Sequence, residues 1–74
     1  MSALSPILVE ALRALVEVLA DHAAGKRDEV ETAQEFTRVA RDAQEALDRL
    51  QLGMDRTAAL DEFRRRVRAR GLPP

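Results

Sequence analysis

Apolar positions along the chain recur every three or four residues in three stretches, from Ile7 to Ala23, from Ala33 to Leu50 and from Ala59 to Val67. That is the period of a helix, and nowhere does the apolar–polar alternation of a strand persist over a useful length. Gly25, Gly53 and Gly71 follow the three stretches in turn. Glycine is favoured just past a helix end because it takes positive φ without steric cost. Pro73 and Pro74 then block continuation of the last helix. Ser5 before Pro6 reads as an N-cap with proline at the first helical position, Asp28 as the cap of the second helix, and Asp55 or Thr57 as that of the third. The pattern predicts helices at roughly 5–24, 28–52 and 57–70, with a short tail over 71–74. The expected fold is all-α: a helical hairpin of two long helices plus a short third helix, one helical domain over 1–74, packing into an oligomeric helical bundle.

The faces of the helices carry that last expectation. At about 100° per residue, Ile7, Leu8, Val9, Ala11, Leu12, Leu15, Val16, Val18, Leu19, Ala20, His22 and Ala23 share one arc of about 220° on the first helix. Glu10, Arg13, Glu17 and Asp21 occupy the narrow remainder together with Ala14 and Ala24. A surface helix needs an apolar stripe only a little wider than ~100°, so this one must be covered on more than one side. On the second helix Ala33, Phe36, Ala40, Ala43, Leu47 and Leu50 alternate at spacings of three and four, an a/d seam about 140° wide. A seam of that width does not cover the first helix. A second copy packing Leu8, Leu12, Leu15, Val16, Leu19 and His22 against their mates would bury the surplus. The third helix offers Leu60, Phe63 and Val67, with Ala59 beside them; it is too short to be stable alone and should dock through Phe63.

Size points the same way. A chain of 74 residues and 8.2 kDa buries only about 60% of its unfolded surface. With no cysteine, disulfides and thiolate metal sites are excluded, which leaves association as the source of extra stability. The charges nearly balance, with 12 basic and 13 acidic residues for a net of −1, so the total implies neither a strongly acidic nor a strongly basic partner. Charged residues make up 34% and apolar ones 46%, as in a folded, soluble chain. Of the basic residues only Lys26 is lysine; with the abundant alanine, that is the usage of a GC-rich bacterial or phage gene. The apolar amino-terminal stretch is interrupted by Glu10, Arg13 and Glu17 and follows no basic segment, so neither a signal peptide nor a membrane span is expected. A cytoplasmic setting is the default.

Candidate chemistry is sparse. His22, the only histidine, lies inside the apolar arc and is read as a packed or interfacial residue; burial there would disfavour its charged form and weaken the fold in mild acid. Asp42, Glu45 and Asp48 recur at intervals of three on one helix face, a spacing that holds Mg²⁺ when acidic pairs from two helices converge. Here they share one helix with interleaved arginines opposite the seam, and a solvated, salt-bridged face is expected. Ser2 and Ser5 have no base nearby, and no phosphate-binding loop or zinc spacing occurs. No enzyme activity, cofactor or metal is expected. Residues 54–74 hold six arginines against Asp55, Asp61 and Glu62, a local charge of +3. Arg64, Arg65, Arg66, Arg68 and Arg70 could contact nucleic acid or an acidic protein surface. Against nucleic acid stand the two aromatics, Phe36 and Phe63, which are few for base stacking. The sequence therefore predicts a small, non-catalytic protein–protein interaction module, an adaptor, regulator or assembly component that binds itself and another protein. The alternative is a nucleic-acid-associated regulator, antitoxin-like or a phage-encoded inhibitor, acting through the C-terminal arginines.

Overall fold

The fold starts from three well-capped helices. In a computed structural model of the chain, which describes residues 5–71, they are α1 (Pro6–Ala23), α2 (Glu29–Gln51) and α3 (Arg56–Ala69). No strand occurs among the described residues. Each boundary falls within a residue of the one predicted. Pro73 and Pro74, expected to stop α3, and Ser2 lie outside the described residues.

Each start is held by a side chain that accepts from an otherwise unpaired amide. Ser5 Oγ accepts from the Ile7 amide at 3.3 Å and Asp28 Oδ1 from that of Glu31 at 2.7 Å. Asp55, not Thr57, caps α3, its Oδ2 accepting from Thr57 and Ala58. The first two helices end alike. Gly25 (φ 77°) donates to the His22 carbonyl while Lys26 donates to Asp21; Gly53 (φ 97°) donates to Leu50 while Met54 donates to Arg49. These paired bonds are Schellman closures, which need a left-handed residue at the first position past the cap.

Where the helices meet, the core is built from small residues. α1 contributes Ile7, Ala11, Ala14 and Val18, α2 contributes Val39, Ala43 and Ala46, and α3 contributes Ala59, Phe63 and Val67. Half of these ten are alanines, which let helix axes approach closely, and Phe63 is the largest fully buried side chain. Leu15, Phe36, Leu47, Leu50, Met54 and Leu60 close the edges of this core. All three pairs of helices are in contact.

Two faces differ from the pattern read in the sequence. On α1 the core side is the alanine side: Ala14, placed with the charged remainder, is wholly buried, and the leucines point outward. On α2 the buried face is Thr32, Glu35, Val39, Asp42, Ala43 and Ala46, rotated about 80° from the anticipated seam. Ala43 keeps its place, Phe36, Leu47 and Leu50 become edge residues, and Ala33 and Ala40 are exposed. The reason is α3. It packs against the acidic flank of α2 and draws the buried face toward itself, so that α2 must serve two neighbours rather than one.

The result is a flattened body, 40 × 28 × 17 Å, with a Cα radius of gyration of 12.8 Å. A compact chain of this length would have about 11.3 Å.

Candidate interaction surface

The surface left over by this packing divides into an aliphatic stripe on α1 and a basic edge on α3. The stripe is what remains when α1 turns its alanines inward. Leu8, Leu12, Val16 and Leu19 fall one helical turn apart and are 38%, 54%, 61% and 50% exposed. Val9 lies beside them, exposed, and Leu15 is half-buried between stripe and core. At about 100° per residue no charged side chain falls between Leu15 and Ala20 around this side of the helix. Surface leucines that occur singly need no explanation, but a contiguous row of them does. Five of the six residues read from the sequence as an interface thus lie on or beside one stripe.

His22 is not packed within the single chain. It is exposed in the last turn of α1, and its Nδ1–H donates to the Arg27 carbonyl at 2.9 Å. The Gly25 closure turns the chain back sharply, so the ring meets the Arg27 carbonyl. The neighbouring Asp21 accepts from Arg27 Nε at 3.3 Å, which pins the same turn.

The second surface is set by ion pairs between helices. Arg66 reaches from α3 to Glu45 on α2, to Glu62 on its own helix at 3.1 Å, and toward Asp42 at 3.6 Å. Arg70 bonds Asp42, Arg49 of α2 pairs with Glu62 at 2.7 Å, and Arg64 ties α3 to Glu10 of α1 at 2.7 Å. The Arg66 hydrogen bond, reinforced by the charges of Arg66, Arg49 and Arg41, holds the Glu45 carboxyl below the ordinary glutamate value, while Glu45 in turn raises the Arg66 guanidinium. The acidic side of α2 is salt-bridged as expected, with Asp48 exposed, but its partners come from α3 and Asp42 is not solvated. Asp42 is buried, and with Glu45 it forms the ground on which α3 docks. Arg38 and Arg41, one turn before Asp42 and Glu45 on the same helix, are not their ion-pair partners among the described residues; Arg66 and Arg70 of α3 are.

Of the five C-terminal arginines read as a possible contact, Arg64, Arg66 and Arg70 are engaged in these pairs. Arg65 and Arg68 are exposed, with no carboxylate within 4 Å among the described residues. They border a shallow open groove of about 550 Å³ together with Met54, Ala58 and Asp61. A second open cleft, about 660 Å³, lies where the start of α1 and the end of α2 meet α3; Ile7, Leu47, Leu50 and Leu60 form its apolar wall and Arg56 its rim. Two buried carboxylate oxygens, Oε2 of Glu10 and of Glu35, have no hydrogen-bond partner among the described residues, although the other oxygen of each accepts from an arginine.

No group of three or more histidine, cysteine, aspartate or glutamate side chains with metal-binding geometry occurs among the described residues. Asp42 and Glu45, the residues at metal-ligand spacing, are already bonded to arginines. None of the described helices is long and apolar enough to cross a membrane. Comparison with protein families, with curated proteins and with solved structures finds no match to this chain.

Proposed function

We propose that this chain is a small, non-catalytic helical interaction module, an adaptor, regulator or assembly component of the cytoplasm, which associates with itself through α1 into a helical bundle and so presents a larger surface to a second protein. The observation that carries this reading is the row Leu8, Leu12, Val16 and Leu19, which lies on the outside of the monomer while alanines fill the inside. Water contact along such a row costs about 25 cal/mol for each Å² left uncovered.

Sedimentation equilibrium at 1–50 µM, with Leu12→Glu beside the parent chain, tests it. Leu12 is more than half exposed in the single chain, so the glutamate leaves the fold intact but places a charge in the interface, which costs several kcal/mol when buried unpaired. The parent should sediment as a dimer or larger and the variant as a helical monomer. A well-folded parent that stays monomeric at 50 µM overturns the proposal.

A second reading has one observation in its favour, the pair Arg65 and Arg68 without carboxylate partners among the described residues. As a nucleic-acid-associated regulator the protein would contact phosphates with these two side chains. A slope of roughly −2 per chain in log K against log salt follows. Anisotropy titration with duplex DNA at 50 and 150 mM salt separates the readings. Micromolar binding at 150 mM, abolished by Arg65→Glu with Arg68→Glu, would put this reading first.

A further inference from the structure

We infer that two copies join through a composite face made by α1 and α2 together, with the α1 leucines of one chain seated on the α2 strip of the other and α3 held outside the assembly. This deepens the self-association reading and rests on it.

The ion pairs show on which side of each helix α3 lies. On α1 it is the side of Glu10; on α2 it is the side of Asp42, Glu45 and Arg49. Counted round the helices at about 100° per residue, the exposed leucines of α1 fall on the other side of the core from Glu10. Phe36, Ala40, Leu47 and Ala33 of α2 fall on the other side of the core from Asp42 and Glu45. The two strips therefore lie side by side on one broad face of the flattened body, with Leu15, Phe36 and Leu47 half-buried along their junction. The exposure of Ala33 and Ala40, unexplained by the packing of one chain, becomes intelligible as part of this face.

Area favours the composite face over α1 alone. The 18 residues of α1 span about 27 Å, and a helix with its side chains is about 10 Å wide. One helix offers a projected area of roughly 270 Å² and two side by side roughly 540 Å², which side-chain relief raises toward the ~800 Å² per partner of a stable interface. A single ridge falls well short. Charge favours a second copy as the occupant. A twofold contact sets like against like, and it is tolerated here because the α1 stripe carries no charge and the α2 strip is bordered by Thr37 and Gln44, its one charge, Glu29, lying at the end of the helix.

Size decides which helix meets which. Stacking α1 on its own mate would set leucine against leucine and, beside them, Ala33 and Ala40 against the same alanines, leaving a gap between the α2 strips. Setting α1 over the α2 of the other copy places large residues against small ones throughout, as close packing requires. A twofold axis parallel to the helices gives that arrangement and keeps heights unchanged. Leu12 and Ala40 are each fourteen positions from Lys26 at the centre of the α1–α2 turn, so they come opposite each other across the axis.

The absence of cysteine from the sequence makes the test clean. Chains carrying Leu12→Cys or Ala40→Cys, both at exposed positions, are mixed in equal amounts and treated with a short bismaleimide linker; Leu12→Cys, Val16→Cys and Leu19→Cys are also treated singly, and Arg65→Cys serves as the α3 control. The mixed product should exceed each homotypic product by about fivefold, with Arg65→Cys at background. Dominant homotypic products from the α1 variants would overturn this arrangement while leaving self-association through α1 standing, and so would an oligomer in which no variant cross-links above background. Cross-linking of Arg65→Cys would place α3 in the interface and also overturn it. A parent chain that is monomeric by sedimentation defeats both proposals.

Discussion

Glu45 and Arg66 meet where α2 and α3 face each other, and the hydrogen bond between them lowers the pKa of the glutamate from its ordinary value. A carboxyl whose folded value lies below its unfolded one stabilises the fold only while it is ionised. The contribution is complete above the unfolded value of about 4.5 and is lost as pH falls through the folded value below it. Glu45→Gln should therefore lower stability at pH 7 and narrow the difference from the parent as the pH is taken from 5 toward 3. Urea midpoints of the two proteins across that range check it; a gap that stays constant would mean that the glutamate contributes by packing and not by charge. His22 shows how far a turn redirects a side chain. The sequence placed it in the apolar arc, and the backbone turn at Gly25 sets it against the Arg27 carbonyl instead. A single residue near a helix end is read least securely from periodicity, because the turn that follows decides its surroundings.

The docking of α3 is settled at the scale of elements. Its apolar contribution, Ala59, Phe63 and Val67 with Leu60 at the edge, is small for a helix of 14 residues, and the arginine pairs supply what the stripe lacks. Asp42 is the acceptor for Arg70 and lies 3.6 Å from Arg66, with little exposure of its own. Asp42→Asn keeps the shape and removes the charge, so the hydrogen bonds to charged donors, worth about 1.5–3 kcal/mol, are weakened together. Amide exchange in α3 should quicken by at least tenfold in that variant, with α1 and the first half of α2 little changed. Uniform quickening along all three helices would show instead that α3 opens only with the whole fold. These residues also mark how far the elements were legible. The caps and stops, written in single residues such as Ser5, Asp28, Gly25 and Gly53, gave helix boundaries correct to a residue. The orientation of α2 was not legible, because Asp42 and Glu35 count as polar in any pattern. Only the arrival of Arg66 and Arg70 from a helix some 25 positions away makes the inward turn of Asp42 favourable.

At the scale of the whole molecule two kinds of contact hold different parts together, and salt separates them. The attachment of α3 to the other helices relies on ion pairs whose arginines are about a quarter to two-fifths exposed. Such pairs weaken as the screening length falls from ~10 Å at 0.1 M salt to ~3 Å at 1 M. The face proposed to join two copies carries the α1 leucines and no charge of α1, so screening has little there to act on beyond Glu29 at the end of α2; an excluded salt such as sulfate strengthens apolar burial. Raising sodium chloride from 50 to 500 mM should then loosen α3, seen as faster amide exchange over Arg56–Ala69, while the dimer constant from sedimentation changes by less than threefold. The same ionic strength supplied as sodium sulfate should tighten the dimer. The opposite pattern, with association falling steeply in chloride, would mean that Arg65 and Arg68 or the acidic start of α2 hold the copies together. In that case the leucine row of α1 would not be the adhesive surface.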